Sequence, residues 1–316
     1  MTLALSAGGR LRGVVIALVG TATWATTAII MRTLMQGLGI APLTLAVWRD
    51  LPVVLVLFLV LRATAPHVLH IRRTDVPFLL LHGGVSLAAM NALWALSLGY
   101  NGATLSTVLI YLAPGVSALG GWAFLHEPIT RWKIAAIVMG LAGVVLIVGV
   151  SAQGYRLTPT GIVIGLTSAL GFAAFSLTGK VAARRFRSTW TGLFYGFVFA
   201  TLALIILALA MRSPAVRFDS RLVVGLLVLA VPTLLGYGLF SAALRYLPAS
   251  VATLIASLEP ALTAVMAVAL LGEHLAPVQW AGSGLIVAGV MLVQRESKGP
   301  EREGAQASAA ANEVPG

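Results

Sequence analysis

The chain has 316 residues, 59% of them hydrophobic and only 10% charged, with a mean hydropathy of +0.97. A soluble domain carries roughly 25% charged residues, so a water-soluble fold is excluded and the surrounding solvent is mostly lipid. The formal net charge of +11 does not point to nucleic acid, because the lysines and arginines sit between apolar spans, where they set topology.

A bilayer core of about 30 Å needs roughly 20 apolar residues per helix. In chain order the spans predicted on that basis are 13–31, 42–61, 76–100, 103–125, 134–150, 161–179, 189–211, 222–244, 249–271 and 278–293. The first carries no clear small-residue cleavage site after it and reads as a retained helix, with residues 1–12 before it. Between 76 and 125 there is no formal charge, and Tyr100-Asn101-Gly102 supplies the turn that divides the third span from the fourth. Residues 295–316 are polar, poor in large apolar side chains and predicted to be disordered. The fold class is therefore all-α integral membrane, with ten transmembrane helices.

Orientation follows from the basic residues. With the N-terminus inside, the inner segments hold Arg10, Arg12, Arg62, Arg72, Arg73, Arg131, Lys133, Lys180, Arg184, Arg185, Arg187, Arg245, Arg295, Lys298 and Arg302. The outer segments hold Arg32, Arg156, Arg212, Arg217 and Arg221, a bias of 15 to 5 that places both termini in the cytoplasm. Trp132, Trp190 and Trp280 open their helices at the interface, as belt residues.

The chain repeats itself. Tyr100/Tyr246, Ala103/Ala249, Pro114/Pro260, Glu127/Glu273 and Gly143/Gly289 match at one spacing (260 − 114 = 146), and Gly13/Gly161, Trp24/Phe172 and Arg32/Lys180 at 148. The repeats are 13–150 and 151–294. Each holds five predicted helices, an odd number, so the second is inverted relative to the first, the arrangement of secondary transporters with a midplane site at the repeat interface.

A proline inside the fourth helix with a glutamate at its end, Leu258-Glu259-Pro260 in the ninth helix and the arginine of Trp48-Arg49-Asp50 in the second resemble the drug/metabolite transporter superfamily, within it the ten-helix exporters built from two EamA domains. The resemblance spans residues 11–293. It implies export or exchange of small metabolites such as amino acids, amines, nucleosides or drugs, across a cell inner membrane, without a cofactor.

Charged groups inside a membrane are costly and usually functional. Glu259 lies about ten residues into the ninth helix, and Pro260 frees the Ala256 carbonyl and loosens the helix there. It reads as a proton carrier, as an anchor for a cationic substrate group, or as the fixed partner of an arginine. Arg49 and Asp50 sit a third of the way down the second helix, where adjacent side chains diverge by about 100° and do not make an ideal mutual pair. Arg49 either pairs with Glu259, binds a substrate carboxylate or snorkels outward; Asp50 is a second coupling candidate. Residues at equivalent repeat positions form a candidate lining: Trp24 with Phe172, Asn91 with Tyr237, Trp94 with Phe240, and Tyr111 with Ser257. Pro114 and Pro260 are candidate gating breaks.

Glu127 and Glu273, beside His126 and His274, are expected as solvated ends in the headgroup zone, and His82 as interfacial. Ala136/Gly140 and Gly284/Ala288 are small-residue pairs for close helix packing, within the monomer or at a dimer seam. Zero cysteines remove a disulfide framework, a thiolate metal site and a cysteine nucleophile, and no metal is expected. Protease and ATPase motifs have no counterpart here. The expected function is a secondary transporter for a small molecule in the lipid bilayer, with protons as coupling ion and a monomeric or homodimeric state. The rivals are a multispanning enzyme or a flippase acting on a lipid-linked substrate.

Overall fold

The computed structural model describes residues 7–149, 158–214, 216, 219–271 and 276–296. The helices are α1 (Ala7–Leu38), α2 (Pro42–Thr64), α3 (Val76–Leu79), α4 (Ala88–Ile110), α5 (Ala113–Leu125), α6 (Arg131–Gly149), α7 (Pro159–Arg185), α8 (Thr189–Ala210), α9 (Ser220–Ala243), α10 (Ala249–Ala256), α11 (Glu259–Leu271) and α12 (Pro277–Glu296). A π-helical stretch, Leu80–Leu87, joins α3 to α4. No strand occurs among the described residues.

Local chemistry fixes the helix ends. Gly39 turns the chain with φ +62, and Pro42 opens α2 where a missing N–H costs nothing. Thr158, Ser188 and Asp219 cap α7, α8 and α9 by accepting from the backbone N–H of Gly161, Trp190 and Leu222. Eight spans among the described residues have the length and apolarity to cross a membrane. The fifth and tenth expected spans correspond in position to α6, of 19 residues, and α12, of 20. The outer faces are apolar: Val163, Leu166 and Leu170 on α7 are exposed, and so are Val224, Leu227, Val228, Val231 and Leu235 on α9. Such stripes are what lipid requires and water would not tolerate.

The turn expected near residue 100 lies inside the helical run of α4. Ser97 Oγ donates to Ser106 Oγ at 2.8 Å, whereas nine residues of straight helix would separate them by ~13.5 Å. The chain therefore reverses between them. Asn101 Nδ2 pins the reversal by donating to Ser97 Oγ and to the Gly161 carbonyl at 2.9 and 2.7 Å.

The packing exchanges the two repeats. α1 lies against α9 and α4 against α7, so the first helix of each repeat packs on the third of the other. α2 packs on α8 and α6 on α12, each a helix against its own counterpart. The α6–α12 seam runs backbone to backbone: a Cβ on Gly143 would stand 2.5 Å from the Gly282 carbonyl oxygen, and one on Gly289 2.9 Å from that of Ala136. Of the two expected small-residue pairs, only the one on α6 enters this seam. On α12 the seam register is Gly282, Ile286 and Gly289, while Gly284 and Ala288 are exposed.

Candidate functional site

α2 carries Arg49 and Asp50 into the centre, 4% and 0% exposed. Contrary to the divergence expected of adjacent residues, they pair: Arg49 Nε and Nη2 both reach Asp50 Oδ1 at 2.8 Å. Adjacent Cβ atoms do diverge, but the flexible arginine stem lets the guanidinium fold back. Burial makes such pairing close to obligatory, because an unpaired charge there would be very costly. This excludes the outward-snorkelling alternative. The carboxylate partner of Arg49 is therefore Asp50 and not Glu259.

From Asp50 the network continues. Asn91 Nδ2 on α4 donates to Asp50 Oδ2 at 3.1 Å, and Tyr237 Oη on α9 donates to Asn91 Oδ1 at 2.9 Å. The Arg49 guanidinium carbon lies 6.0 Å from the Tyr237 ring centroid, and its Nη1 reaches the Met31 sulfur at 3.9 Å. Asn91 and Tyr237 are repeat counterparts in direct contact. So are Trp24 and Phe172, whose ring centroids are 6.2 Å apart, edge to face. Contacts between counterparts occur only near the relating axis, which therefore passes through this cluster.

Trp24 also meets Tyr237 and Phe240, each at 5.0 Å between centroids. Its buried Nε1–H has no hydrogen-bond partner among the described residues. Phe175 and Phe197, which sequence reasoning passed over, complete the ring cluster around Tyr237. The Phe172/Phe175 spacing of three residues could have signalled a second inward ring. Trp94 is half-buried and packs between the aromatic core and a second apolar cluster around Met31, Leu45 and Leu229.

The second acid sits at a different break. α4 and α5 part at Tyr111-Leu112, and α10 and α11 at Ser257-Leu258, with Pro114 and Pro260 as the second residues of the new helices. The loosening expected at Ala256 is where α10 ends. Tyr111 Oη donates to Glu259 Oε2 at 2.6 Å, so the two broken elements meet through this bond. Ser257, the counterpart of Tyr111, bonds its own helix at the Leu254 carbonyl. Glu259 is half-buried, so of the two intramembrane acids Asp50 is the more buried.

Two expectations fail at the helix ends. His82 is 3% exposed, held by Thr178 Oγ at 2.9 Å and stacked between Phe78 and Phe175, so its side chain faces the protein interior and not the headgroups. Its place in the π-helical turn rotates it inward. Glu127 is 7% exposed and not solvated, because it caps a neighbouring helix. Glu273 and His274 lie outside the described residues.

The family model for the EamA-like transporter family matches residues 11–149 and again 159–295. A probable terminal-alkyne amino-acid exporter of Streptantibioticus cattleyicolor is 28% identical over 292 residues, covering 89% of this chain and 93% of the relative. The threonine/homoserine exporter RhtA of Escherichia coli strain K12 is 28% identical over 223 residues, covering 69% and 73%. A crystal structure superimposes with a TM-score of 0.76 at 19% identity, covering 93% of this chain and 99% of that one, which is a likeness of fold. A duplicated helical membrane fold, an intramembrane polar network on its axis and a family match over both halves agree: the chain is a multi-pass membrane transporter, not an enzyme, and belongs to the EamA-like transporter family.

Proposed function

We propose that this transporter exports or exchanges a small organic metabolite bearing an amine, of which amino acids are the class favoured by the exporter names of its relatives. It works by alternating access across the inner membrane, with both termini in the cytoplasm, and protons drive it. The observation that carries this reading is the state of Glu259. Its partner is a neutral phenol, Tyr111, and no cation lies within ion-pair distance among the described residues. A carboxylate in that position binds a proton or a substrate ammonium, but not both at once. Such a site exchanges one for the other, and an inward proton gradient then moves substrate outward.

The Arg49–Asp50 pair supports the same reading, because it is neutral overall and does not compete for the ammonium. Trp24 Nε1–H and the guanidinium N–H groups not engaged by Asp50 are the donors available to a substrate carboxylate. The test uses inside-out vesicles containing the protein, with labelled L-threonine, L-homoserine and a simple aliphatic amine as probes. Acidifying the vesicle interior should drive uptake of at least one, and a protonophore should abolish it. Uptake equal to that of empty vesicles for every amine-bearing probe would overturn the proposal.

A further inference from the structure

Glu127 and Lys180 are two buried charges that the central site does not use, each 7% exposed. They grip the same turn, residues 244–250, from opposite ends. Lys180 Nζ, on α7, donates to the carbonyls of Leu244 and Leu247, both at 2.7 Å, and so satisfies acceptors left over at the end of α9. Glu127, just beyond α5, takes the other end: its Oε1 accepts from Ala249 N–H at 3.1 Å and its Oε2 from Ser250 Oγ–H at 3.4 Å, capping α10.

The chain is shaped to bring Glu127 there. His126 turns with φ 56, and Glu127 N–H donates to the Gly121 carbonyl at 2.9 Å. A Cβ at Gly121 would stand 2.7 Å from Glu127 Oε2, so the carboxylate occupies space that only glycine leaves. Glu127 belongs to the first repeat; the turn and α10 belong to the second. The first repeat also closes on the turn from another side, where Arg12 lies 5.5 Å from the centroid of the Tyr246 ring.

We infer that Glu127 is a positioning residue for transport: it latches the first repeat to the α9–α10 turn of the second and holds the pathway shut at the end where α1 begins. Lys180 keeps the turn in the shape that Glu127 grips. The inference rests on alternating access as proposed above. Opening this end pulls the α10 N-terminus away from Glu127, and the charge-assisted bonds at Ala249 and Ser250 set the balance between the two access states.

Because the sequence has no cysteine, single reporters are free of background. Leu244→Cys reports the latched end, where Leu244 is 0% exposed. Leu98→Cys, its repeat counterpart (244 − 98 = 146), reports the opposite end, and Leu204→Cys, at 0% exposure in α8 and outside the central ring cluster, reports general loosening. Labelling by an impermeant maleimide is measured from each side in membrane vesicles. In Glu127→Gln, labelling at position 244 should rise about tenfold while labelling at position 98 falls, as expected for losing bonds to an ionised acceptor. Lys180→Met should move both reporters in the same directions. If positions 244 and 98 rise together, or position 204 becomes reactive, Glu127 only supports the fold and the latch is overturned. If Glu127→Gln changes neither reporter, while L-threonine or a pH gradient moves them in opposite directions in the parent, the latch fails and alternating access stands. If they never move oppositely in the parent, both fail.

Discussion

Asp50 and Glu259 are both carboxylates inside helical spans, yet their surroundings give them different work. Asp50 has each oxygen engaged, one by Arg49 and one by Asn91. Removing one member of a buried pair strands the other charge, at a cost of about 3–5 kcal/mol. Asp50→Asn or Arg49→Met should each lower the thermal midpoint in detergent by several degrees, and the double replacement should recover most of the loss. Equal losses that add in the double variant would mean the two do not act as a pair. Asn91→Leu and Tyr237→Leu should weaken substrate binding in equilibrium titration more than they lower yield, because the Asn91–Tyr237 bond lies on the axis. Unchanged affinity in both would place the substrate elsewhere. Which residues are polar in the apolar core was legible in the sequence. Their pairing was not, since it depends on how far a flexible arginine folds back and on which carboxylate another helix brings near.

Helix breaks and seams decide what can move and what cannot. The paired breaks before Pro114 and Pro260 were legible because proline removes a donor wherever it stands. The turn between Ser97 and Ser106 was legible from Asn101-Gly102, although the backbone stays helical on either side. The register of α12 against α6 was not, because several small residues on α12 could serve and only the packing selects Gly282 and Gly289. The burial of His82 depends on a π-helical turn, which shifts the face presented and leaves no clear mark in composition. Gly143→Ala would set a methyl 2.5 Å from a backbone oxygen, where nothing flexible can yield. It should cost about 1–3 kcal/mol of overpacking, read as a lower thermal midpoint. Gly284→Ala, with nothing within 4 Å of the added carbon, should leave the midpoint unchanged. Equal effects would contradict the seam.

At the scale of the molecule, two similar halves pack through one another and their counterparts meet at the centre. The sequence displayed the duplication as matched spacings, and the exchange of α1 with α9 and α4 with α7 follows if the second half is inverted. Orientation in the membrane rests on the basic residues alone. A cysteine in place of Ser213 should react with impermeant maleimide from outside, and one in place of Arg73 only after the opposite side is exposed. Labelling of both from one side would contradict the topology. The most direct test of the central claim, that Glu259 exchanges protons for substrate, is transport in proteoliposomes by Glu259→Gln. That change keeps the shape and the acceptor for Tyr111 but removes titration. Uptake driven by a pH gradient should vanish, and counterflow exchange of labelled substrate with no gradient should vanish with it, because a neutral amide cannot hold the substrate ammonium. Retention of gradient-driven uptake at the parent rate would contradict the claim.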